Sequence, residues 1–179
     1  MHHTMTALRQ EYDRHAGRSI ALPIAGAIVW TVVGLAGAVL EPRPATFVLL
    51  FGTGLAFPLA LALARPLGER LIDNPSPFAG LMGRSVVMVN LLWAVHLTLA
   101  VLDWSYLPLT LGIGLGLHWV VFGWVIGHPV GLVHAALRTV LVTAAWWAFP
   151  DARVSAVAAA VVLTYGYAIA VLATRRRPV

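Results

Sequence analysis

Five polar side chains in otherwise apolar surroundings could do chemistry: Asn90, His118, His134, Arg138 and Tyr165. His118 lies about nine residues, roughly 14 Å of helical rise, before the end of its apolar run, and Arg138 lies a similar distance into the next one. Tyr165 is about as far from the end of the last run, whereas Asn90 and His134 sit nearer the surface. His134 and Arg138 are four residues apart and share one side of a helix. An arginine at mid-helix costs about 2.5–3.5 kcal/mol to insert into a bilayer, so it must face protein or a wet cavity. A cationic group with histidines at the same level suits binding of a small solute or transfer of a proton. The competing reading makes Arg138 an internal staple, satisfied by carbonyls, Asn90 and tyrosines.

Other chemistries lack their parts. His118 and His128 are about 15 Å apart along the chain, too far for one metal shell, and no carboxylate accompanies them. His118 and His134 are offset in depth, which disfavours a haem between them, so neither metal nor cofactor is expected. The chain has no cysteine, which excludes disulfides, thiolate catalysis and iron–sulfur clusters. Gly112-Ile113-Gly114-Leu115-Gly116 follows no strand and lies inside an apolar run, so it is not a phosphate loop. Intramembrane serines and aspartates with a base, as hydrolysis would need, are missing.

The elements that must position these residues are transmembrane helices. Sixty per cent of the 179 residues are hydrophobic and 11% charged, with a mean hydropathy of +0.84, far from a soluble domain's composition. Residues 105–149 organise the chain as two spanning runs joined by Gly127-His128-Pro129-Val130-Gly131. In the first run Gly112, Gly116, Gly123 and Gly127 fall within roughly 60° of one another at about 100° per residue, one smooth face for close helix packing. His118 points about 150° away from that face, so this helix is contacted on both sides and should be central.

Taken in order, the chain reads as a polar juxtamembrane segment at 1–18, a six-helix transmembrane bundle at 19–174 and a basic tail at 175–179. Met5, Leu8, Tyr12 and His15 have helical spacing and suit an interfacial helix, with a frayed tail as the alternative. His2 and His3 read as unstructured rather than as a metal site. The first span covers 19–40; Arg18 and Ala36-Gly37-Ala38 also permit a cleavable signal peptide. The second covers 45–64, with Pro58 set to kink it. Residues 65–77 form the longest internal loop, and Ser76-Pro77 reads as the cap and first position of a third helix reaching Leu102. The sixth span covers 154–173 and stops at Arg175-Arg176-Arg177.

The formal charge of +5 comes from arginine alone, for there is no lysine. With six spans, one side carries Arg9, Arg14, Arg18, Arg65, Arg70, Arg84 and Arg175 to Arg177, and the other only Arg43 and Arg153. Such a bias puts both termini in the cytoplasm. It implies a bilayer partner and anionic headgroups rather than nucleic acid.

Leu107-Pro108, Gly112, Gly116-Leu117-His118-Trp119 and Trp124, with Phe57-Pro58-Leu59 and Asn74-Pro75, resemble a family of small bacterial multi-span integral membrane proteins catalogued only as a domain of unknown function. The similarity covers spans two to five. It implies a helical protein of the bacterial inner (cytoplasmic) membrane and brings no catalytic or binding residues; His134 and Arg138 are not part of it. Two functional expectations follow. One is a polar, cytoplasm-facing pocket between spans three, four, five and six that binds or conducts a small solute or proton. The other is a non-catalytic scaffold whose glycine faces hold a partner or a second copy in a homo-oligomer.

Overall fold

The computed structural model describes residues 4–176; His2, His3 and Arg177 lie outside the described residues. Six helices are long and apolar enough to cross a membrane: span one Ala21–Val39, span two Pro42–Ala64, span three Pro77–Leu102, span four Tyr106–Val125, span five Val130–Ala148 and span six Pro150–Thr174. A short helix, α1 (Met5–Ala16), precedes them, capped by the Thr4 side chain, which accepts from the Ala7 N–H. Among the described residues there is no strand. The architecture is an all-α polytopic helix bundle.

The local breaks have local causes. Pro58 has no N–H to give the Gly54 carbonyl, and span two tightens into a 3-10 turn at Thr53–Leu55 just there. Span four loosens into 3-10 turns between Gly114 and His118, where the Trp119 N–H turns to the Gly116 carbonyl. Span three opens as its sequence implies. The Ser76 hydroxyl accepts from the Phe78 N–H, and Asn74 Oδ1 accepts from the Ser76 N–H.

Around the bundle each span packs on the next in the order three, four, five, six, one, two. Half of span four is buried, the largest share of any span, and span six runs close behind while touching spans one, two, four and five. The centre is therefore a pair of helices, not span four alone. Spans two and three expose most of their surface, with Phe51, Leu55, Leu91 and Val101 facing outward. That is the pattern of helices solvated by lipid.

The ring does not close evenly. Span two's first half reaches span four at one face of the bundle, but its second half and span three share no substantial interface. Below that gap Arg175 grips Asp13 with two hydrogen bonds of 2.8 and 3.0 Å. The pair joins the end of span six to α1 at one face of the bundle, called here the terminal face.

Candidate functional site: an open cavity beside a sealed cation

The connection between spans two and three builds a floor for α1. Glu69 is buried, and its carboxylate accepts from the Ile20 and Ala21 N–H groups at 2.7 and 3.0 Å, closing the start of span one. The Arg70 N–H donates to the His15 carbonyl, Asn74 Nδ2 donates to the Tyr12 carbonyl at 3.1 Å, and the Ser76 hydroxyl donates to the Leu8 carbonyl. At the other edge Arg9 donates to the Trp124 carbonyl at 3.0 Å and lies over the Trp124 ring. Gly127, with φ +62°, turns the chain beneath that arginine. The polar segment that the sequence left between helix and frayed tail is a docked helix with five polar anchors, counting the Asp13–Arg175 pair.

Behind α1 lies a cavity of about 280 Å³. Its walls come from α1, the start of span one, Phe57 of span two, the first half of span three and the second half of span four. Tyr12, Ser19, Arg70 and Asn74 stand at the terminal-face end; His118, half-buried, and Trp119 stand at the inner end. Burial, with the neighbouring Asp13 carboxylate behind it, pushes the Tyr12 phenol up to about 12, so it stays neutral. The pocket expected between spans three, four, five and six thus lies elsewhere, between spans one to four. Only the placement of span four had been fixed by its glycine face, and that face leads to span five.

Arg138 does not line this cavity. It is 1% exposed, its Nε donates to the Gly112 carbonyl, and Nη1 and Nη2 have no hydrogen-bond partner among the described residues. The guanidinium lies between two ring faces, 5.5 Å from the centre of Trp30 and 5.2 Å from that of Tyr165. Cation–π contacts of this kind are worth about 2 kcal/mol or more each when desolvated, and here they stand in for the missing carboxylate. One turn earlier His134 is wholly buried, with Nδ1 3.0 Å from the Thr164 carbonyl. A carbonyl accepts, so Nδ1 carries a proton, while Nε2 has no hydrogen-bond partner among the described residues. The imidazole stacks on Trp119 with ring centres 4.0 Å apart. Trp119 is therefore the partition: it lines the cavity and backs onto the sealed cluster of His134, Arg138 and Tyr165.

The structure brings His134, Arg138 and Tyr165 together, sets His118 across Trp119 from them, and leaves Asn90 apart. Asn90 is exposed on span three and returns its amide to the Val86 carbonyl at 2.8 Å, the local bond that lets an amide face lipid. Three of the four glycines are spent inside the bundle, and Gly127, exposed, meets the Arg9 side chain of α1. A Cβ on Gly112 would lie 2.8 Å from Val142, one on Gly116 2.7 Å from the Arg138 Cδ, and one on Gly123 2.9 Å from the Gly131 Cα. At Gly112, Gly116 and Gly123 that face serves span five.

Sequence reasoning missed Trp30, Tyr12 and Gly131. Trp30 sits in a uniformly apolar run that marks no face. Gly131 was read as part of a turn, yet it packs on the Trp119 carbonyl and the Gly123 backbone. A glycine opposite the glycine stripe was the available signal.

A family model for a family of unknown function (DUF7010) matches residues 5–175. The chain belongs to that family. No curated protein and no solved structure matches it. The DUF7010 match takes in α1, the cavity walls, the sealed cluster and Arg175, so the family's extent is that of the whole docked bundle.

Proposed function

We propose that this protein binds a small solute in the cavity beneath α1, reached from the terminal face. The observation that carries the reading is a concave space with polar groups at its two ends and an apolar middle, the usual form of a small-molecule site. Binding is favoured over conduction through the bundle. Beyond Trp119 the path is filled by His134, Arg138 and Tyr165, all buried. A fixed positive charge there also opposes passage of a proton or cation. The excess of arginines on the terminal face supports a cytoplasmic placement for it, in a bacterial inner membrane.

Single cysteines introduced into this cysteine-free chain test the reading. Met82→Cys, in the cavity wall, should react with a small charged methanethiosulfonate reagent, while Val142→Cys, buried in span five, should not. In sealed membranes the reaction should occur from the cytoplasmic side. Equal inertness of both cysteines would end the binding proposal, and labelling from the outer side would reverse the orientation.

A further inference from the structure

We infer that the cavity takes the single hydrocarbon chain of an anionic amphiphile drawn from the surrounding leaflet, with the acidic headgroup at Arg70 and the chain running past Met82 toward His118. This names the ligand class for the site proposed above and rests on that reading.

Three features converge on such a ligand. The first is the order of the lining: a cation and hydrogen-bonding groups at the terminal face, then Leu22, Phe122, Met82 and Val86, each further along its span from that face. A wholly polar solute would meet apolar walls over most of its length and leave its polar atoms unpaired. A headed chain matches the wall from end to end.

The second feature is charge. Among the described residues the single ion pair is Asp13 with Arg175, and Glu69 is committed to the first N–H groups of span one. Arg70 is exposed, its backbone is held by His15, and among the described residues no carboxylate forms an ion pair with its guanidinium. A guanidinium at the rim of an apolar slot, with Asp13 and Glu69 engaged elsewhere, is complementary to a phosphate or carboxylate headgroup.

The third feature is access. Spans two and three do not pack together over their terminal-face halves, and the cavity-lining residues Phe57 and Val86 are 51% and 41% exposed on the surface that lipid solvates. A chain can therefore enter sideways without crossing water. Size limits what enters. At roughly 30 Å³ for a water-sized group, the space holds about nine such groups, a segment of one chain and not two chains side by side.

The test uses the full chain carrying Met82→Cys in discs of zwitterionic lipid, with the labelling rate as readout. Lysophosphatidic acid, a monoacylglycerol of the same chain length, and inorganic phosphate are compared as protecting agents. The inference expects lysophosphatidic acid to protect at concentrations roughly five- to tenfold below the monoacylglycerol, and phosphate alone to give no protection. Adding Arg70→Gln should bring the two amphiphiles level. Arg70 is exposed, so this variant should fold, and an unchanged thermal midpoint checks that it does. Equal protection by both amphiphiles, protection by phosphate alone, or an undiminished preference in Arg70→Gln would overturn the inference while leaving a cavity that binds something. A cysteine at 82 that never reacts would instead remove the binding proposal and the inference together.

Discussion

Arg138 and His118 stand at comparable depth on neighbouring helices, yet one is sealed and the other lines an open cavity. The residue that a membrane should least tolerate is the one the bundle has enclosed most completely. Gly112 gives it a carbonyl, Gly116 lets its aliphatic stem lie against the helix backbone, and Trp30 and Tyr165 give it two ring faces. His118, which could be neutral and cheap to bury, instead borders space. An intramembrane charge is therefore a poor pointer to a cavity when glycines and aromatic faces lie opposite it. The cavity is produced by an absence of packing, where spans two and three part and α1 covers the opening.

If the sealed region depends on backbone approach, glycine substitutions should grade by what a Cβ would meet. Gly131→Ala puts a methyl against the Trp119 carbonyl and within 2.6 Å of the Gly123 Cα, where nothing flexible can yield. It should cost about 3 kcal/mol or more, or prevent assembly. Gly116→Ala meets the Arg138 side chain, which can shift, and should cost about 1–2 kcal/mol. Gly166→Ala meets nothing within 4 Å and should be neutral or slightly stabilising. Thermal unfolding in detergent ranks the three, and equal midpoints would remove the claim of close packing.

The ring faces around Arg138 give a second, smaller contrast. Tyr165→Phe keeps the face and should change stability by less than about 0.5 kcal/mol, whereas Tyr165→Leu should cost about 2 kcal/mol or more. Equal effects of the two would mean that the cation–π contact contributes nothing. Arg138→Met replaces a buried charge lacking a carboxylate by an apolar chain, and should be tolerated far better than Tyr165→Leu.

The open region should respond to alkali. Tyr12, at the cavity rim, has its folded-state value raised to about 12, so the contribution from its buried neutral phenol is intact below pH 10 and is lost as pH rises through 12. Docking of α1, followed by a fluorophore on a cysteine at Leu8, should weaken over that window, and Tyr12→Phe should abolish the loss. An unaltered transition in Tyr12→Phe would assign the alkaline effect to another group. At the opposite end of the scale, His128 Nδ1 accepts the Val130 N–H at the start of span five. Burial and then the nearby Arg175 hold that imidazole below its ordinary value, so its contribution is present at neutral pH and fades as pH falls.

Much of the fold was legible because bilayer-length apolar runs and their turns are local signals. The start of span three followed from Asn74-Pro75-Ser76-Pro77, and the close approach of span four to another helix followed from its glycine spacing. The partner of that face was not legible, since glycine spacing names a surface and not its neighbour. For the candidate site, the side of span five that carries His134 and Arg138 was readable from their spacing. The cavity was not, because it depends on where spans two and three fail to meet and on anchors such as Asn74 to Tyr12 across 62 positions of chain. Trp119, between the two regions, could be read as apolar surface but not as a partition.

The contrast between the two histidines across Trp119 is the central claim, and water exchange at their ring N–H groups tests it in the unaltered chain. With ring-labelled histidine and assigned resonances, the His134 Nδ1–H, donated to the Thr164 carbonyl and wholly buried, should exchange slowly enough to be observed. The His118 ring, bordering the cavity, should exchange with bulk water at least tenfold faster. Equal exchange at the two rings, whether both are fast or both protected, would contradict the account of an open cavity beside a sealed cation.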